Sequence, residues 1–394
     1  MSKRAVLLWF VLSSGGCASN SGVDSGHAGA SGNGAAGAGG SSGSGAGAGG
    51  QVSGRGGTAG SGDVGGLSGM AGAAGLGGAS GGATAGAGGV AGSGQAGAAG
   101  AGGAAIGHGS AAKFVCAPGA TYGNPLTGMG AVTTIAAPAG DYFAFTEGSI
   151  WIAGLATLFF SDNASSPSER IFKLTPPSTT PALFVGNSGS NGLAVDTLDR
   201  LIAADQRNKR IVRFDPMTGQ IVGTPISTGS AKPNDLIVRS DENVYFTDPD
   251  SGFYRISPAE TMSTAMKLSA SSRPNNIELS LDENTLYVGD VGNRTIAKYA
   301  LASDGSVMTA SGGNLVSQTM HDTVDGMCLD CAGNIYAGTS GGIEVYAPDG
   351  KYLGTVPTGS TSNCTFGGAD RKTLYVTSRS LLKSVVLGVP GLPD

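Results

Sequence analysis

From residue 130 to residue 386 the chain alternates short apolar and β-branched runs with polar turns, and no long apolar stretch at helical spacing interrupts them. One unit reads GLAVD, a turn around Asp199, RLIAAD, a turn around Asn208 and RIVRFD. The next reads DLIVRSDENVYFTDPDSGFYRIS, and the one after it NIELSLDENTLYVGDVGNRTIAKYAL. Such runs predict strands, and turns carrying Asp, Asn and Gly suit hairpins because these residues bond their own backbone or tolerate positive φ. An all-β domain is expected.

The pattern restarts six times, at Glu147 in EGSIW, Asn191 in SNGLAVD, Asn234 in KPNDLIV, Asn275 in RPNNIEL, Asp325 in VDGMCLD and Asn363 in SNCTFGG. The spacings of 44, 43, 41, 50 and 38 residues fall in the range of one four-stranded propeller blade per unit. A six-bladed β-propeller over 113–394 follows, with the first strand of each blade lining a central channel. The stretch Ala131–Ala136, upstream of the first start, is expected to close the ring as the outer strand of the last blade.

Composition confines the core to this region, because most of the 71 glycines lie before residue 113. Residues 1–16 read as a secretory signal: Lys3 and Arg4, then an apolar run from Ala5 to Leu12 too short to span a bilayer. Ser14-Gly15-Gly16-Cys17 resembles the lipoprotein cleavage box of bacteria, with Ser14 where Leu is usual, and makes Cys17 the candidate lipidation site. An ordinary signal with Cys17 as a bystander is the plainer alternative. The absence of Asp after Cys17 suggests outer-membrane sorting; a periplasmic or secreted protein is the other expectation. Residues 17–112 are almost entirely Gly, Ala and Ser and read as a disordered tether with a typical span of roughly 50–60 Å. A net charge of -5 without a basic stripe argues against nucleic acid and leaves a small-molecule partner and a monomer as the expectation.

Cys116, Cys328, Cys331 and Cys364 allow three disulfide pairings, among which the sequence does not choose. Cys328-x-x-Cys331 has neither the second pair nor the nearby His of a zinc site, so a disulfide or buried thiols are expected. Asp162, Asp205, Asp248 and Asp290 recur at the ends of second strands. Four acids in register invite a catalytic reading, but capping of hairpin N–H groups explains them better.

The six start residues form a ring of oxygen donors: one Glu, four Asn and one Asp. Hard donors with two carboxylates favour calcium or magnesium, with manganese and zinc tolerated. Each Asn is equally a strand-entry residue holding backbone bonds. Glu147 is harder to explain that way, since a carboxylate in a narrow channel must be paired, protonated or bound to a cation.

EG at Glu147, PND with YFTDP at Pro233–Asp235 and Tyr245–Pro249, PN with LSLDENTLYVGD from Pro274, DGM at Asp325 and NCTFGG together resemble the gluconolactonase, regucalcin and luciferin-regenerating-enzyme family of six-bladed propellers. The resemblance implies one divalent cation, calcium first, held by Glu147, Asn234, Asn275 and Asp325. It implies Asp325 as the base as well as a ligand, with Asn191 and Asp235 beside the site as substrate contacts or orienting groups. It implies hydrolysis of sugar lactones and related esters, in a family whose relatives include organophosphate hydrolases. Asn363 returns to a structural role. The chain departs from the family pattern at Ser149, where proline is usual, at Asn276, where glycine is usual, and in the short DSGFYR connection after YFTDP. His321 could reach the pocket, but a solvated loop position is the first expectation. A non-catalytic binding propeller of the NHL kind, with a structural calcium, is the alternative.

Overall fold

The computed structural model describes Gly109 and residues 116–163, 168–267 and 269–392. The signal segment, Cys17 and all of the tether except Gly109 lie outside the described residues.

Six four-stranded antiparallel sheets make up the described domain. Strand β1 (Thr133–Ile135) precedes the first blade, which consists of β2 (Thr146–Ile152), β3 (Thr157–Asp162), β4 (Arg170–Leu174) and β5 (Ala182–Gly186). Blade two is β6 (Ser190–Val195), β7 (Leu201–Asp205), β8 (Arg210–Phe214) and β9 (Ile226–Ser227). Blade three is β10 (Leu236–Val238), β11 (Val244–Asp248), β12 (Gly252–Ile256) and β13 (Met262–Met266). Blade four is β14 (Pro274–Leu279), β15 (Thr285–Asp290), β16 (Thr295–Leu301) and β17 (Val307–Val316). Blade five is β18 (Met327–Leu329), β19 (Ile335–Thr339), β20 (Gly342–Tyr346) and β21 (Tyr352–Val356). Blade six is β22 (Asn363–Gly367), β23 (Thr373–Ser378) and β24 (Leu381–Val386), completed by β1.

The expected closure is present: Thr133, Thr134 and Ile135 pair with Ser384, Lys383 and Leu382. Each inner strand neighbours the next around the ring, and β22 returns to β2. The chain therefore forms a six-bladed β-propeller. Its core is divided into six clusters, one at each seam between blades. At the first-to-last seam Trp151 stacks on Tyr375 with ring centroids 5.7 Å apart. Gly367 leaves room for that indole, since a Cβ there would lie 2.5 Å from the Trp151 ring.

The recurring acids are structural, as expected. Asp162 accepts the Ala144 and Phe145 N–H groups, Asp205 that of Asn208, Asp248 those of Lys232 and Asp250, and Asp290 those of Arg273 and Asn293. Each ties its own hairpin turn or the strand entering the blade. A disulfide joins Cys116 to Cys331, linking the segment that enters the propeller to the first hairpin of blade five; Cys328 and Cys364 remain buried thiols.

Candidate axial site

Where five of the six inner strands reach the axis, regular pairing breaks or has yet to begin at the start residue, whereas β22 pairs regularly from Asn363. The register slips between Glu147 and Ser149 in β2, between Ser190 and Leu193 in β6, and between Pro274 and Asn276 in β14. Such bulges re-aim a side chain without ending the strand. Strands β10 and β18 reach the same result by beginning just after Asn234–Asp235 and Asp325–Gly326.

Glycine follows three of the start residues because neighbouring inner strands touch there. A Cβ on Gly148 would lie 2.3 Å from the Asn191 carbonyl oxygen, one on Gly192 2.7 Å from the Asp235 Cα, and one on Gly326 2.4 Å from the Asn363 Cα. Backbone bonds fasten the same junctions. Gly192 N–H donates to the Asn234 carbonyl at 2.7 Å, Gly326 N–H to that of Ser362, and the Thr247 hydroxyl to that of Asn275. The sequence signature EG, NG, DG is thus the imprint of close approach around the axis.

Three carboxylates act on one another here. Burial raises Glu147 well above the ordinary glutamate range, and the charges of Asp325 and Asp235 raise it further, against a hydrogen bond from the Gly148 backbone. Burial, then the charge of Asp235, pushes Asp325 up to about 7. Asp235 also rises to about 7 through burial, opposed by hydrogen bonds from the Leu236 backbone, Asn276 and Asn363. No cationic side chain is among the groups acting on these three. Protons or a bound cation must offset the charge.

The structure places the expected residues unequally. Glu147 and Asn191 are buried, while Asn234, Asn275 and Asp325 are half-buried on the same axis. Among the described residues no three His, Cys, Asp or Glu side chains are disposed to hold a metal by themselves. A cation here would therefore need the amide oxygens of Asn234 and Asn275 in addition to Glu147 and Asp325. That donor set, two carboxylates and two neutral oxygens without imidazole or thiolate, fits a hard divalent ion. Asp235 turns to its neighbours: its carboxylate accepts from Asn276 Nδ2, from Asn363 Nδ2 at 3.4 Å and from the Leu236 N–H at 2.9 Å.

Asn363, expected to be purely structural, takes part in this network and also accepts the Ser149 hydroxyl at 3.2 Å. The sequence reading did not give Ser149 and Asn276 a place in the site. The available signal was their departure from the family pattern, because both polar departures meet the same buried acid network. His321 is a loop residue with a half-exposed side chain, as expected, but it is tethered. Its Nδ1 lies 2.7 Å from Oε1 of the fully buried Glu344, which also accepts the His321 and Met320 N–H groups. Gly341 admits the imidazole, since a Cβ there would lie 2.4 Å from the ring.

Fold and site together define a six-bladed propeller with an acid-and-amide centre on its axis. A sequence profile of the SMP-30/Gluconolactonase/LRE-like region matches residues 145–380, and the chain belongs to that family. It is 29% identical over 277 residues to a gluconolactonase of Zymomonas mobilis, covering 59% of this chain and 76% of that one. A solved gluconolactonase of Xanthomonas campestris superposes with a TM-score of 0.57 at 27% identity, covering 65% of this chain and 89% of the other. The fold is also that of regucalcin from Agrobacterium tumefaciens, described as a calcium-binding protein, with a TM-score of 0.55 at 17% identity and coverage of 67% and 96%.

Proposed function

We propose that the chain is a cation-dependent hydrolase of the lactonase type. The observation that carries this reading is the concentration of Glu147 and Asp325 on the axis, where burial and the charge of Asp235 raise both above the ordinary carboxylate range, Glu147 also through Asp325. A binding propeller has no need of such an arrangement. Its similarity to gluconolactonases supplies the substrate class.

Glu147, Asn234, Asn275 and Asp325 would hold the cation, calcium first, with magnesium, manganese or zinc as substitutes. When bound, it would polarise the lactone carbonyl and steady the developing oxyanion. Asp325, brought up to about 7 by burial and Asp235, would accept a proton from the attacking water and return it to the ring oxygen as the C–O bond opens. Asn191 would orient the substrate, and Asp235 would orient neighbouring side chains through its amide bonds. The connection from β11 to β12 is a short turn at Pro249–Ser251, held by Asp248 through the Asp250 N–H and the Ser251 hydroxyl. This leaves blade three without a long lid and favours acceptance of more than one lactone.

Display from the cell envelope on the Gly-rich tether, through lipidated Cys17, belongs to the same proposal. Cys17→Ser should release the protein from the membrane fraction, and unchanged membrane association would remove the anchor. For the hydrolase, cation content is measured on the purified full-length chain and on Glu147→Gln, beside a panel of sugar lactones, aryl esters and phosphotriesters. Bound divalent cation and turnover in the wild type, both lost in Glu147→Gln, are expected. Failure to take up any divalent cation at millimolar calcium would end the enzyme reading. Uptake without turnover on any of the panel would leave a binding propeller with a structural calcium.

A further inference from the structure

One step further along the same inner strands, the axis contains a second feature. A cavity of about 20 Å³ is lined by Ser149, Asp235, Asn276, Glu278, Asn363 and Thr365 together with apolar and thiol side chains. A water-sized occupant needs about 10–15 Å³, so there is room for one. Asn276 is 1% exposed, Asn363 6% and Asp235 7%.

Counting donors and acceptors identifies what the occupant must bring. Asn276 Nδ2 donates to Asp235, Asn363 Nδ2 donates to Asp235, and the Ser149 hydroxyl donates to Asn363 Oδ1. Asn276 Oδ1 is buried without a partner. Turning the Asn276 amide over would set its oxygen against the Asp235 carboxylate, so that acid fixes which atom is left over. Remaining acceptor capacity lies on Asn276 Oδ1, on Asn363 Oδ1 and on the Ser149 hydroxyl oxygen. Asp235 and Glu278 add carboxylates, and no Lys, Arg or His lines the cavity. An unsatisfied buried oxygen in an acid-lined cavity calls for positive charge.

We propose that this cavity binds one monovalent cation of about the size of sodium, held by Asn276 Oδ1 with Asp235, Asn363 and Ser149. The oxygens argue against a divalent ion. Asp235 already accepts two amide N–H groups and one backbone N–H, and the others are neutral, too little charge to strip the hydration shell of calcium or magnesium. Its ligands are other residues than the four of the proposed divalent ring, and it does not rest on the lactonase reading. It follows from the unpartnered Asn276 Oδ1 and its neighbours Ser149, Asp235 and Asn363.

The test uses the full-length Glu147→Gln chain in chelator, so that the divalent ring does not contribute. Thermal unfolding is followed in sodium chloride and in N-methylglucamine chloride at matched ionic strength, beside the width of the sodium-23 resonance. A saturable sodium-specific rise of roughly 3 °C at about ten times the Kd is expected, with broadening of the sodium signal. Asn276→Leu should abolish both. If that variant does not fold, Ser149→Ala should raise the sodium midpoint several-fold. Equal melting in the two salts with no broadening would overturn the proposal and leave water as the occupant. In a parallel titration of the same variant after the chelator is removed, saturation by calcium but not sodium would overturn the monovalent assignment. A sodium effect beside a wild-type chain that shows no lactone turnover would count against the proposed function alone.

Discussion

Removing divalent cations should make the domain less stable as pH rises from 5 to 8, the opposite of the usual behaviour of paired carboxylates. Asp235 ordinarily ionises near 3.8 and is pushed to about 7 by burial. Between those values the folded chain holds a proton that the unfolded chain has released. The unfolded state therefore binds fewer protons, and the stability present below pH 4 is lost as pH climbs through 7. A shift of about 3 pK units is worth about 4 kcal/mol for this one group. Asp325 and Glu147 are displaced in the same direction. Of the Asp235 contribution about 2–3 kcal/mol is lost between pH 5 and 8, which for a domain of this size corresponds to a fall in Tm of roughly 5–10 °C.

The assay is thermal unfolding of the chelator-treated chain at constant ionic strength, repeated with excess calcium. Calcium should flatten the profile, because a bound cation takes over the protons' role and releases them. His321→Asn, which removes the imidazole beside Glu344, is the control and should keep the slope. A metal-free Tm that stays level or rises between pH 5 and 8 would refute the clustered, buried carboxylates on which the site is built.

Glu147→Gln should melt above the wild type at pH 8 without divalent cations, by about 1–3 kcal/mol, since it removes one of three repelling charges; it should gain nothing from calcium, as parallel melts would show. Gly326→Ala should cost about 2 kcal/mol or more in denaturant unfolding, because its Cβ would overlap the Asn363 backbone. Reduction of Cys116–Cys331, or Cys116→Ser, should lower stability by up to about 5 kcal/mol, read as a drop in the urea midpoint. Asn276→Gly should cost about 1–2 kcal/mol by taking an amide donor from Asp235.

Inner and middle strands were readable because they are buried on both sides and use Val, Ile, Leu and aromatic residues in short runs. The outer strands of blades three and four were not. Strand β13 reads MSTAM and β17 VMTASGGNLV, mostly half-buried or exposed; they gain order from pairing with β12 and β16 rather than from their own pattern. The unequal spacing has a physical origin in the same place, since β17 is ten residues long and a loop to Asp325 follows it. At the site, repeat spacing put six side chains near one axis but could not assign them layers. Spacing carries no information on where a bulge falls, and one residue of slip decides which of Asn275 and Asn276 reaches the proposed cation ring and which reaches Asp235. That explains why the deeper network of Ser149, Asp235, Asn276 and Asn363 first showed only as two departures from a familiar motif. A proline at 149 has no hydroxyl for Asn363, and a glycine at 276 has no amide for Asp235. The two departures therefore act on one network. A Ser149→Pro, Asn276→Gly double variant should show coupling that neither single change predicts.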